Sequence, residues 1–322
     1  MTTTLLPPLK FTPLVKPVPW GGRNLMTLFG KSLPAGVPCG ESWEVVDLPD
    51  NQSVVREGPL ASRDLAWLVA QRREELLGEA ELLMGRFPVL FKLLDAAQTL
   101  SVQVHPDEDA CRRLGVGARP KTEAWYILRA EAGARLYVGL AEGVTTNEFR
   151  RAIDAGQVEP LLRAVEVEPG DFVYLPSGTL HAIGAGIVLA EIQQSSDTTY
   201  RVFDWNRVGL DGKPRALHVD QALESIHFDI SGKPPHALPL SGRPGIRCPA
   251  FGFERAGLGV GCETPLDAGR PRIVCCVEGT GQISQTGERP VPLKPGETCL
   301  VPACRAESLM SEKGGTFLLI RV

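Results

Sequence analysis

Short apolar runs rich in β-branched and aromatic residues, each closed by glycine or proline, dominate the chain. Residues 89–94, 100–104, 125–128, 171–175 and 187–192 have this form and predict strands. Helical periodicity is confined to three stretches. Residues 62–83 set Leu65, Leu68, Val69, Leu76 and Leu77 among charges, with Ser62 as the expected N-cap. Residues 146–164 repeat the pattern behind Thr146, and 220–226 predict one short helix. Residues 231–245 carry many Pro and Gly and little periodicity, which marks a linker, and after it the chain reads as strands to its end. The expectation is mainly β, a barrel or sandwich architecture with a few helices packed against it.

One pattern occurs twice. Glu168-Pro169-Gly170-Asp171 is followed after four residues by Pro176. Lys294-Pro295-Gly296-Glu297 is followed at the same distance by Pro302. Each copy is a Pro-Gly-acid turn launching an apolar strand that ends at proline. The first runs on to Gly178 and His181, and the second has no histidine. Two related barrels are expected, of which one carries chemistry.

Composition changes this picture little. A chain of 322 residues with 43% hydrophobic residues can bury the cores of two domains. The net charge of -4 provides no global field for nucleic acid or an anionic membrane, so an anionic substrate needs a local Lys/Arg cluster. Residues 1–10 lack the charged and apolar regions of a secretory signal, and no apolar run approaches the ~20 residues of a membrane span. A cytoplasmic location is expected. None of the eight cysteines forms a C-x-x-C pair, so reduced, structural thiols are expected.

Candidate chemistry gathers in three places. In the strand 100–105, alternation puts Ser101, Gln103 and His105 on one face and Leu100, Val102 and Val104 on the other. The polar row fits a barrel interior or mouth, and equally an ordinary solvent-facing strand. Lys121 and Glu123 share a face two residues apart, which taken alone is also a surface ion-pair pattern. The run Gly170-x5-Pro176-x-Gly178-x2-His181 is more specific, with His181 opening a strand. Together these places offer two imidazoles, a carboxylate and an amide oxygen. Such a set suits zinc, and also manganese, iron or cobalt. His218, His227 and His236 lie near the linker and read as structural or solvated. Trp20, Trp43 and Trp205 read as core, with a sugar-lining role as the alternative.

The glycine-proline-histidine run resembles the second motif of cupins, with Ala185 where an Asn often ends it. Gln103-x-His105-Pro106-Asp107, Lys121-x-Glu123, His181, and 184–187 through Ser196-Asp197-Thr198-Thr199-Tyr200-Arg201 together resemble the type I mannose-6-phosphate isomerases. Trp20-Gly21-Gly22 and Gly40-Glu41-Ser42-Trp43-Glu44 fit as well. The resemblance runs from about Trp20 to Arg207 and is to the short bacterial form; the last third resembles only a degenerate second cupin. Pro120 stands where some members have histidine, and Ala124 replaces a larger residue, often Met.

The resemblance implies two cupin-type jelly-roll β-barrels with added helices. It implies a catalytic domain over 1–235 and a metal-free, cupin-like domain over 240–322. One zinc ion per chain would sit on Gln103, His105, Glu123 and His181. Lys121, Glu191, Asp197 and Arg201 are the implied catalytic groups, and Ser101, Lys121, Arg201 and Arg207 the implied substrate contacts. The implied reaction is aldose–ketose isomerisation of mannose 6-phosphate to fructose 6-phosphate, with a proton moved between C1 and C2 through a cis-enediol. The base stays open among Glu191, Asp197, Lys121 and a metal-bound water. The expected partner is a small sugar phosphate, with neither nucleic acid nor membrane, in a monomer or small homo-oligomer. A non-catalytic sugar-phosphate sensor and another metal-dependent cupin enzyme are the competing readings.

Overall fold

The computed structural model describes residues 5–115, 117–228, 243–284 and 289–322. Most of the expected linker, and His236 with it, lies outside the described residues. The first eight barrel strands are β1 (Val89–Ala96), β2 (Val102–Val104), β3 (Glu123–Ala130), β4 (Arg135–Leu140), β5 (Leu162–Glu166), β6 (Phe172–Leu175), β7 (His181–Ile183) and β8 (Ile187–Gln194). They form two facing sheets. One has the order β6-β3-β8-β1 and continues into the strands Leu14–Gly22 and Cys39–Val45. The other has the order β5-β4-β7-β2 and continues into Tyr200–Phe203. The side chains between them include Trp125, Ile127, Leu136, Val138, Ile183 and Leu189, all buried, as the alternating pattern requires.

A second set of eight follows: β9 (Gly252–Leu258), β10 (Cys262–Leu266), β11 (Arg272–Gly279), β12 (Gly281–Ser284), β13 (Val291–Leu293), β14 (Thr298–Val301), β15 (Glu307–Ser311) and β16 (Gly315–Arg321). Their orders, β14-β11-β16-β9 and β13-β12-β15-β10, reproduce those of the first set strand for strand. The molecule is a pair of cupin jelly-rolls. The repeated turn is the same device in both. Asp171 Oδ2 accepts from Glu168 N at 2.8 Å, and Glu297 Oε2 accepts from Lys294 N at 3.0 Å. Gly170 and Gly296 both have positive φ, 103° and 80°, and donate to Ile127 O and Cys276 O.

Two expected helices have different limits. The stretch 62–83 contains two short helices, Leu65–Gln71 and Arg73–Leu77. The cap is Asp64, whose Oδ1 accepts from Trp67 N at 2.7 Å, whereas Ser62 has φ 70° and belongs to the turn before it. Gly78 ends the second helix, and Glu79 N then bonds to Gly269 O of the second barrel. The helix after residue 145 covers Thr146–Asp154 and is capped by Thr145 in a reciprocal box with Glu148. Gly156, with φ 65°, turns the chain away, and the apolar residues that follow belong to a 3₁₀ turn and β5. The short helix Val219–Ser225 forms where the pattern places it.

The barrels share one apolar cluster, in which Phe172 meets Phe253 edge-on at 5.2 Å. Polar groups cross the same seam. Lys31 Nζ donates to Glu44 Oε1 at 2.6 Å and to Gly296 O at 2.7 Å, with both side chains buried. Removing one partner of a buried pair strands the other charge. Glu44→Ala is therefore expected to cost about 3–5 kcal/mol, read from denaturant unfolding. A loss under about 1 kcal/mol would show that water reaches Lys31.

Candidate metal centre

Strand pairing sets this site. His181, the first residue of β7, lies opposite Gln103 on β2. Glu123, the first residue of β3, faces the same interior from the other sheet. His105 follows β2 directly. His105, Glu123 and His181 are all buried, with ligand atoms within 4.8 Å of one another. Each histidine Nε2 lies 3.3 Å from a Glu123 oxygen, His105 from Oε2 and His181 from Oε1.

The backbone selects the tautomers. His105 Nδ1 meets Thr198 O at 2.8 Å and His181 Nδ1 meets Thr179 O at 2.9 Å. A carbonyl can only accept, so each Nδ1 carries the proton and each Nε2 aims its lone pair at the centre. Burial keeps both rings neutral. It depresses His181, and together with the Lys121 charge it pulls His105 down to about 3. Burial pushes Glu123 upward, but the Lys121 charge beside it outweighs this and holds the carboxylate well below its ordinary range. Neither Glu123 oxygen accepts a well-formed hydrogen bond among the described residues, although Lys121 Nζ lies 2.9 Å from Oε2. Two inward lone pairs and a buried carboxylate short of donors fit a divalent cation.

Gln103 borders the same space, with Nε2 3.3 Å from His181 Nε2. A half-turn of its terminal amide brings Oε1 there instead, since the two ends are nearly equal in size. Ser101 Oγ donates to Gln103 Oε1 at 3.3 Å and receives Arg201 Nε at 3.1 Å. Lys121 Nζ also lies 3.1 Å from His105 Nε2.

Most of the other expected residues are held by partners of their own. Glu191 is buried on β8, held by Trp125 Nε1 at 3.0 Å and Lys92 Nζ at 3.0 Å. Arg207 is tied to Asp204 at 2.8 Å and to Thr99 O at 2.6 Å. Asp197 is exposed and makes no ion pair with Arg201. His227 pairs with Asp107 at 2.8 Å, and His218 caps the Arg201 backbone N–H through Nδ1 at 3.4 Å. Trp20 is core, Trp205 donates to Leu100 O, and Trp43 lies under Lys92.

Three contributors escape the pattern. Arg215 reaches Asp204 at 2.6 Å and joins Arg201 and Arg207 in one cationic group. Its loop has no periodicity to announce it. Lys92 is a charge set within the apolar run of β1, as is Asp95 further along the strand, a signal present in the sequence. Trp125 packs its edge on His181 at 5.4 Å.

Fold and site define the class, a two-barrel cupin with a candidate metal centre in its first barrel. The family model for the phosphomannose isomerase type I catalytic domain matches residues 9–132. Mannose-6-phosphate isomerase ManA of Bacillus subtilis is 37% identical over 303 residues, 92% of this chain and 93% of the relative. The mannose-6-phosphate isomerase of Streptococcus mutans is 43% identical over 220 residues, 68% and 67% of the two chains. A crystal structure of the Bacillus subtilis mannose 6-phosphate isomerase superposes with a TM-score of 0.86 at 30% identity, covering 98% of this chain and 100% of that one. The chain belongs to the type I mannose-6-phosphate isomerases.

Proposed function

We propose that the protein interconverts mannose 6-phosphate and fructose 6-phosphate as an aldose–ketose isomerase, with one zinc ion per chain held by Gln103, His105, Glu123 and His181. The observation that carries this reading is Ser101. Its hydroxyl touches both Gln103 of the metal cluster and Arg201 of the cationic group, at 3.3 and 3.1 Å. A sugar spanning those two ends would present C1 and C2 to the ligand cluster and its phosphate to the arginines.

When bound, zinc supplies Lewis-acid polarisation of the sugar oxygens beside C1 and C2. Arg201 and Ser101 grip the phosphate, with Arg207 behind them, because a guanidinium fork can bond two phosphate oxygens. Lys121 adds a fixed positive charge next to the developing oxyanion. A carboxylate moves the proton between C1 and C2, and Glu191 and Asp197 are the proposed carriers. Glu191 has the more enclosed position, and Asp197 is exposed.

We place this chemistry in residues 1–235 and assign 240–322 as a domain without metal. The support is chemical: the second-barrel counterparts of the ligands are Leu266, Ala268, Arg272 and Glu307. The eight free thiols suit a reducing cytoplasm, and no described helix is long and apolar enough to cross a membrane. A monomer or small homo-oligomer acting on a sugar phosphate, with no nucleic acid partner, completes the reading. A coupled assay on mannose 6-phosphate tests it. Turnover should vanish on chelation and return with zinc. No turnover by metal-loaded protein would leave the sensor reading in its place.

A further inference from the structure

The second barrel keeps a cavity where the first keeps its metal centre, with the charge reversed. The correspondence follows from strand register. Glu123 pairs with Leu175 and Gln193, and Arg272 pairs with Val301 and Arg321 at the same points of the repeated topology. His181 pairs with Gln103, and Glu307 pairs with Leu266. Arg272 therefore takes the place of the metal-site carboxylate, Arg321 that of Gln193, and Leu266 that of Gln103.

These residues line a cavity of about 410 Å³ together with Arg243, Arg247, Glu254 and Asp267. That volume lies within the range of about 300–1,000 Å³ that holds small ligands. Phe253, Leu266 and Leu319 supply apolar wall. Four arginines face two carboxylates, so the lining carries surplus positive charge. Arg243 is already committed, to Glu254 at 3.2 Å and Thr264 Oγ1 at 2.7 Å. Arg247 and Arg321 make no ion pair among the described residues. Arg272 Nη1 is buried and finds no acceptor there. A buried guanidinium donor without a partner is costly to maintain, and an anion would satisfy it. Burial and the neighbouring charge of Arg321 already depress Arg272, which is the strain an anion would relieve.

We propose that the second barrel binds a phosphate dianion, free or as the ester of a small metabolite, between Arg247, Arg272 and Arg321. Planar guanidinium forks match tetrahedral phosphate oxygens, and the apolar wall leaves room for the carbon part of an ester. This site is separate from the isomerase centre and does not depend on its assignment.

Equilibrium dialysis of metal-loaded protein against labelled inorganic phosphate tests this. Wild type should hold phosphate at two sites, the first-barrel arginine cluster and this cavity. Arg272→Leu should weaken the second site roughly tenfold or more, with kcat/KM on mannose 6-phosphate in phosphate-free buffer unchanged. Arg321 is exposed, so Arg321→Ala gives the same readout without disturbing the core. Glycerol 3-phosphate as competitor separates the sources: stronger displacement than by unlabelled phosphate identifies an ester, and weaker displacement identifies the free ion. If neither variant weakens any phosphate site that wild type holds, the proposal is overturned; a single wild-type site lost in both variants is this cavity.

Discussion

His181→Ala should leave the protein unable to retain its metal and should lower kcat/KM on mannose 6-phosphate by roughly 10³-fold or more. His181 Nδ1 is locked onto Thr179 O, so Nε2 has one orientation, toward Glu123. Alanine removes that lone pair and leaves Glu123 as a buried carboxylate with one neutral ring and Lys121 beside it. Lewis-acid polarisation is worth several kcal/mol, and each 1.4 kcal/mol is a factor of ten in rate. The expected loss is in retained metal, so kcat should fall even at saturating substrate. His105→Ala should behave alike, since His105 is fixed in the same way by Thr198 O. The checks are elemental analysis after desalting and kinetics with added zinc. Near-stoichiometric metal in His181→Ala, with turnover within about tenfold of wild type, would refute the ligand assignment.

Alternation made part of this centre legible. Ser101, Gln103 and His105 share a face because a strand repeats every two residues, and the same rule joins Lys121 to Glu123. His181 stands out because glycine and proline fix the turns ahead of it. What local pattern cannot give is the distance between sheets. Glu123 and His181 belong to opposite sheets, and they meet because β3 and β7 both begin at one end of the barrel. The helix limits were misplaced for a related reason. Leu161 and Leu162 keep an apolar rhythm past Gly156, but that rhythm serves a turn and then an edge strand. Arg215 was invisible because its partner Asp204 lies 11 residues back along the irregular segment between Phe203 and Val219, at no spacing a regular element would repeat. The repeat at 168–171 and 294–297 was readable as a turn, yet its main consequence was not. Only strand pairing shows that Arg272 occupies the place of Glu123.

Arg201→Ala should keep its metal and lower kcat/KM by roughly 10²–10³-fold, the scale of losing one charge-assisted, two-toothed contact of about 3–4 kcal/mol. Arg201 lies on the strand Tyr200–Phe203, paired with Gln103 across β2. Its Nε reaches Ser101 Oγ and its Nη1 reaches Ala216 O, so Nη2 is left for substrate. Burial and the charge of Arg215 lower its pKa, and a bound phosphate would relieve both. Arg207 and Arg215 are different because Asp204 already neutralises part of their charge. Arg207→Ala should therefore cost less than Arg201→Ala. Lysine restores the charge but cannot bond Ser101 and phosphate in one plane, so Arg201→Lys should recover only part of the loss. Steady-state kinetics with parallel metal analysis decides the matter. If the Arg201→Ala loss falls mainly on KM, the residue binds the phosphate alike in ground and transition states; if on kcat, it holds the sugar for proton transfer. Wild-type kcat/KM in Arg201→Ala would remove Arg201 from the site altogether.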